Sequence, residues 1–496
     1  MKSRTFAKCG AILGVLAFLL MLLPGRAAHA LSDGVWSLNY DAPSPINALA
    51  VYNGKLYAGM GDSTIYVYDG TTWSQNFTAD NGVGSVLSLA VYGDKLYAGT
   101  NYYDGGNHGR VWVYDGTTWS ISQEANGTVQ NYHSLAVYGD KLYAGAGDLG
   151  RIRVFDGSSW SEAFNTGQNA VMSLATYNGK LYAGTDQNGI IYVYDGTSWT
   201  ENYDSSEQTI VALASYNGNL YAGTGNTGII YVYDGTTWLQ SDDSVEQQIT
   251  SLAVFGDKLY AGGLTNGTIY VYDGASWAVS YDSGEYAVLA LATYNNRLFA
   301  GSATNGKIFV LTPAVTRDFY LHGSGANSNP AILFLDDTAP TATTAKSKDS
   351  ASVNFSGGNP WKDIGTWSAA PALSAGTLTA LSDLHAWLGL KNSDDQGTKF
   401  DLRVEVYKNG TLVAGGESFC ITGITRNPAL AKEVGVTFGP FTPATFNGSS
   451  DMLSLKVLTR IGTNGAGGFC GGHSNAVGLR LYFDAVSRPA KFDGTF

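Results

Sequence analysis

Across residues 34–311 short apolar runs alternate with Gly-rich turns, and the whole pattern returns about every forty residues. In the copy spanning residues 171–203, VMSLATY is followed by Asn178-Gly179 and then KLYAGT. A second turn at Asn188-Gly189 leads into IIYVYDG, and SWTENY closes the unit. Each run has strand length, and Asn-Gly and Asp-Gly pairs accept the positive φ of tight hairpins, so each unit predicts four antiparallel strands. The third strand is apolar or aromatic on both faces, with Ile191 and Val193 opposite Tyr192 and Tyr194. Such a strand needs cover on two sides, as in a sheet stacked between neighbouring sheets. The small Ala183 and Gly184 allow close approach near the centre of the stack.

The aromatic residue of the Leu-Tyr-Ala-Gly motif or its variant falls at Tyr57, Tyr97, Tyr143, Tyr182, Tyr221, Tyr260 and Phe299, giving spacings of 40, 46, 39, 39, 39 and 39. A period near forty built of four short strands is the signature of a propeller. The strand opening in Trp occurs at Trp73, Trp119, Trp160, Trp199, Trp238 and Trp277, and the last unit stops at KIFVLTPAV without one. SDGVWSLNY, with Trp36, matches YDGTTWSQNF and supplies the missing strand from the other end of the chain. The fold class expected is therefore all-β: a seven-bladed propeller over residues 31–313, closed by its N-terminal strand.

The segment LYAGTGNTGIIYVYDGTTW (220–238) resembles the repeats of the β-propeller superfamily that includes quinoprotein-like, kelch and WD40 proteins. The likeness is greatest to the quinoprotein-like pattern of strand, Gly turn and docking Trp, and it covers residues 34–311. The Asp-Gly-Thr-Thr-Trp turn also looks like the Asp box of sialidases, with one residue fewer between Asp and Gly. In either family that turn is structural.

Beyond Pro313 the repeat ends. Residues 314–496 carry alternating segments such as KFDLRVEVYKNGTLVAGGESFCI, LHAWLGLK, EVGVTFGPF, MLSLKVLTRI and AVGLRLYFDA, with no long helix period. They predict an antiparallel β-sandwich, which resembles modules appended to exported bacterial proteins. At the other end, Lys2, Arg4 and Lys8 precede an apolar run from Ala11 to Leu23 and the small residues Ala28-His29-Ala30. Residues 1–30 thus read as an export signal, too short to span a bilayer comfortably, and no second long apolar stretch predicts a transmembrane segment. A periplasmic or extracellular location follows.

Loss of the signal removes four basic and no acidic residues, leaving 25 Lys and Arg against 41 Asp and Glu, a balance of −16. So acidic a chain repels phosphates, which argues against nucleic acid as a partner. Cys420 and Cys470 read first as a disulfide in an exported protein. Cys470 and His473 could alternatively be two metal ligands, without an evident second pair.

Catalytic motifs are poor. The five His residues of the mature chain form no zinc-protease pattern, there is no Gly-x-Ser-x-Gly elbow, and the propeller's Arg110, Arg151, Arg153 and Arg297 stand in unrelated strand positions. The loops between strands one and two and between three and four are nearly identical in all copies. Those between strands two and three and between blades differ, and variable loops on a rigid repeated frame are where recognition sits. The longest excursion, TNYYDGGNHGR, offers Tyr102, Tyr103, Asp104, Asn107, His108 and Arg110 as ligand contacts. Tyr40, Phe77, Phe164, Tyr203 and Tyr281, four residues beyond a Trp, are further candidates, with Tyr203 and Tyr281 foremost. The between-blade loops carry Asp41, Asp80, Glu124, Asp204, Glu207, Asp242, Asp243, Glu246, Asp282 and Glu285 without Lys or Arg, which suits a cationic surface or Ca²⁺. No other cofactor is expected, and the stretch 391–401 reads as a polar hairpin or a Ca²⁺ loop. The function expected is non-catalytic recognition of an extracellular or envelope carbohydrate or protein. A secreted propeller enzyme (hydrolase, lyase or quinoprotein relative) and an envelope-assembly scaffold are the alternatives.

Overall fold

The computed structural model describes residues 34–79, 84–101, 109–124, 130–147, 149–370, 373 and 375–496. The proposed export segment lies outside them. The chain forms two compact units, one spanning Trp36–Thr312 and one spanning Pro313–Phe496.

The first unit is a seven-bladed β-propeller of four-stranded antiparallel sheets. Blade 1 is typical: Ile46–Tyr52, Lys55–Met60, Thr64–Tyr68 and Trp73–Thr78 follow one another from first strand to outer strand. Blade 7 takes its outer strand from the other end of the chain, with Gly34–Asp41 hydrogen-bonded beside Lys307–Pro313. First strands touch first strands all the way round, and Val288–Tyr294 of blade 7 packs against Ile46–Tyr52 of blade 1. The ring is closed as the displaced Trp36 motif predicted.

Three recurrent contacts hold the blades together. The first explains the invariant glycine of Leu-Tyr-Ala-Gly. A Cβ built on Gly223 would stand 2.5 Å from Ile249 Cγ2 of the next blade, and one on Gly301 would meet Ile46 of blade 1. Gly223→Ala is therefore overpacked and should destabilise the propeller by about 1–3 kcal/mol, read as a lower denaturant midpoint at unchanged m-value.

The second contact is the tryptophan. Trp73 Nε1 donates to Asn39 Oδ1 at 2.8 Å, Trp119 to Asn76 at 2.7 Å, and Trp238 to Asn202 at 2.8 Å. Each acceptor lies three residues beyond the preceding blade's Trp. Trp160 and Trp277 use Ser122 and Ser241, and Trp36 completes the circle by donating to Ser280 at 3.0 Å. At the seam of blades 3 and 4 the acceptor position is Ala163, which offers Trp199 no side-chain oxygen. The tryptophans are thus docking side chains between sheets.

The third is a tyrosine at the end of each first strand but one. Its hydroxyl donates to a backbone carbonyl of the next blade's first hairpin, as Tyr52 does to Asp94 and Tyr294 to Gly54. Phe255 is the exception. On the same face, Asp195 and Asp234 each accept two backbone N–H bonds and a Thr hydroxyl within Asp-Gly-Thr turns. Those bonds, the hydroxyl's first, hold both carboxyls down at about 2.

The second unit holds one hydrophobic core, with Trp367, Phe400, Phe446 and Phe483 among its fully buried side chains. All the segments singled out above are strands, but they join one continuous twelve-stranded ladder. One neighbouring pair, Ile332–Asp336 with Lys362–Ala369, is parallel, a departure from the purely antiparallel expectation. Cys420 and Cys470 form a disulfide with Cα atoms 6.1 Å apart, which removes Cys470 as a metal ligand. The stretch 391–401 is not a simple hairpin. It contains a 3₁₀ turn, Ser393–Asp395, and both of its later carboxylates are used internally. Asp395 accepts the Val477 N–H, and the fully buried Asp401 accepts from the N–H of Cys420, from Thr463 and from Arg460.

A buried charge cluster also sits in this unit. His322 Nδ1 lies 2.6 Å from Asp484 Oδ1, its Nε2 lies 3.2 Å from Asp336, and Lys346 binds the other Asp484 oxygen. Burial disfavours the charged imidazolium, but the Asp484 hydrogen bond and the two carboxylates outweigh it and raise the His322 pKa. The stability this supplies is fully present below the ordinary histidine value near ~6.5 and is lost as pH rises through the folded-state value. The second unit should therefore melt lower at pH 8.5 than at pH 6. In His322→Gln that difference shrinks.

Candidate binding face and channel mouth

The first strands of all seven blades carry a β-bulge at the same place. In blade 1 the register slips between Ile46 and Ala48, in blade 3 between Tyr132 and Ser134, and in blade 6 between Ile249 and Ser251. A bulge inserts one unpaired residue and re-aims its side chain. The bulged residues are Asn47, Leu87, His133, Met172, Val211, Thr250 and Leu289, and together with Gln248 they line one cavity of about 230 Å³. One residue from every blade meets here, at the end of the channel that faces the variable loops.

The contrast along the strand is sharp. Two residues beyond the bulge every copy has leucine, at Leu49, Leu89, Leu135, Leu174, Leu213, Leu252 and Leu291. The next residue is alanine in every copy. The bulge position runs Asn, Leu, His, Met, Val, Thr, Leu, whereas its immediate neighbours stay within Ile, Val or Tyr on one side and Ala or Ser on the other. Asn47 is bonded to the Val86 carbonyl and Thr250 to those of Gly262 and Val288, so both are committed to neighbouring backbone. Among the described residues, His133 and Gln248 have no side-chain hydrogen-bond partner. Burial lowers the His133 pKa, against a weaker upward pull from Asp186, so the imidazole is neutral at pH 7. No lining group is charged.

The side chains singled out from sequence fall elsewhere. Tyr203 stacks on Trp238 of the next blade, with centroids 5.2 Å apart, and meets Tyr231 edge-on. Tyr281 stacks on Trp36 at 5.3 Å, and Tyr40, Phe77 and Phe164 stack on Trp73, Trp119 and Trp199. Alternation put these rings on the tryptophan's side; the structure shows that the face they share is the seam between blades. Arg110 opens a third strand and is ion-paired with Glu124 at 2.6 Å. Tyr102, Tyr103, Asp104, Asn107 and His108 lie outside the described residues, as does Asp80.

The acidic loops are partly self-satisfied. Glu207 accepts from Thr227 and Tyr231, Glu246 from the Asn266 N–H, and Glu285 from Asn305 and Lys307. Each ties a between-blade loop to the turn after the next second strand. Among the described residues no three His, Cys, Asp or Glu side chains converge as a metal site. The aromatic that does reach solvent is Tyr286, 53% exposed, while every other described aromatic of the propeller is buried or half-buried. It stands three residues before Leu289, and in the preceding between-blade loop Val245 is 83% exposed. Sequence reasoning passed over both Tyr286 and the bulge ring. The available signal was a column that changes in chemical character from copy to copy two residues before an invariant leucine.

No protein-family description matches the chain, and no curated protein does. Solved structures are similar to just over half of the chain. A chain in the crystal structure of a mitotic checkpoint complex is 16% identical, with a TM-score of 0.47, covering 56% of this chain and 94% of that one. The WD40 β-propeller domain of Doa1 is 12% identical, with a TM-score of 0.45, over 56% and 97%. The computationally designed Ika8 protein is 20% identical, with a TM-score of 0.41, over 55% and 98%. Among the described residues no helix is long and apolar enough to cross a membrane.

Proposed function

We propose that this is an exported, non-catalytic recognition protein that holds an extracellular or envelope protein or carbohydrate on the variable face of its propeller. Propellers serve in general as interaction scaffolds, and the disulfide suits an oxidising compartment. The observation that carries the reading is the bulge ring, whose seven positions hold six residue types, polar and apolar, while the leucine and alanine columns beyond it repeat. Packing demands are the same in every blade, so they do not account for that difference.

The test compares faces. Protein and glycan arrays are probed with the full chain and with two sets of variants, each checked for an unchanged melting temperature. Tyr286→Ala and Val245→Asp alter the variable face, whereas Lys95→Glu and Lys180→Glu alter exposed positions on the other. Binding lost only in the first set supports the reading, and binding lost only in the second would overturn it.

A further inference from the structure

The cavity at the centre of the variable face restricts what can dock there. We infer that the channel mouth accepts one uncharged, mainly apolar side chain from an extended basic segment of a partner protein, an inference that rests on the recognition role proposed above.

Size sets the first limit. About 230 Å³ is below the ~300–1,000 Å³ of pockets that enclose whole small molecules, and suits a single side chain. Chemistry sets the second. Leu87, Met172, Val211 and Leu289 are half of the eight lining residues, and the register places the leucine ring beneath them. A buried charge here would lack a counter-charge and would be strongly disfavoured. His133 and Gln248, together with the unused Oδ1 of Asn47, leave enough hydrogen-bonding capacity to meet one amide, hydroxyl or backbone group beside the inserted side chain.

Charge outside the mouth sets the third limit. The basic residues that open third strands on this face are already paired: Arg110 with Glu124, Arg151 with Glu162, and Lys307 with Glu285. Asp204, Asp243 and Asp282, at the ends of three consecutive outer strands, are exposed. The remaining potential over blades 4 to 6 is negative, and it complements lysine or arginine on either side of the anchor. Tyr286 and Val245 add exposed apolar side chains in two between-blade loops of the same face. A segment running from perimeter to axis would pass the acidic strand ends before reaching the cavity.

The test uses the full chain against an immobilised array of eleven-residue peptides. Each has one varied central residue flanked by lysines, by glutamates or by serines, and a glycan array is probed in parallel. Lysine-flanked peptides with central Leu or Met should bind, more weakly as salt rises, and glutamate-flanked ones should not. Met172→Trp, which fills the mouth, and His133→Ala should each weaken binding roughly tenfold, as expected of a central anchor site. Asp243→Lys should weaken it roughly two- to fivefold and reduce the salt dependence. Lys95→Glu, on the opposite face, should leave it unchanged. No peptide bound, a preference for glutamate flanks, or glycan binding alone at the mouth would each overturn the inference. If Tyr286→Ala abolishes binding while Met172→Trp and His133→Ala leave it intact, the face still recognises its partner and only the channel anchor fails. If variable-face changes have no effect at all, the recognition role fails with it.

Discussion

Removing Gly34–Asp41 should cost the propeller its cooperative melting. Without that strand blade 7 keeps three strands, and Trp36 no longer donates to Ser280 or stacks on Tyr281. Loss of the Trp36 side chain alone, in Trp36→Ala, should cost about 3 kcal/mol, in the range for a large aromatic that leaves a gap behind. The deletion should cost more, because it also exposes the unpaired edge of Lys307–Pro313. Such an edge is a template for pairing with another copy, so the truncated chain should also associate with rising concentration. Calorimetry and size-exclusion chromatography read the two effects. A truncated chain that melts with the full one and stays at its size would mean that the strand does not close the ring.

The next largest effect belongs to the second unit. Replacing both Cys420 and Cys470 with serine frees a loop of 50 residues, and the chain-entropy contribution of such a link is roughly 2–4 kcal/mol. The bridge also lies beside the most heavily bonded carboxylate of that unit, since Asp401 accepts the Cys420 N–H as well as bonds from Thr463 and Arg460. Loss of the disulfide should therefore lower only the transition of Pro313–Phe496 and leave the propeller transition in place. Differential scanning calorimetry with and without reductant checks this directly. A uniform shift of both transitions would show that the two units do not unfold independently.

The closure of the ring was legible because it depends on a motif. Trp36 carries the same neighbours as the other outer-strand tryptophans, and counting six copies of one strand against seven of another leaves a gap that only SDGVWSLNY fills. Alternation says which side of a strand a ring is on, but not what lies opposite, so Tyr203 and Tyr281 were expected at a ligand and are found against Trp238 and Trp36. The bulge was invisible for a different reason: it exists only in the pairing of two strands, as in the slip between Ile210 and Ala212 against Thr224 and Gly223. The twelve-stranded ladder of the second unit, with its parallel pair, depends on contacts between segments far apart in sequence. No turn motif announces it.

The bulge in each first strand has a practical consequence. Because its side chain leaves the ladder, that residue is released from the fit that fixes the glycine, alanine and leucine around it. A library randomising Leu87, His133, Met172 and Val211 should thus retain a high proportion of folded members, and the propeller becomes a frame on which selectivity can be rewritten a blade at a time.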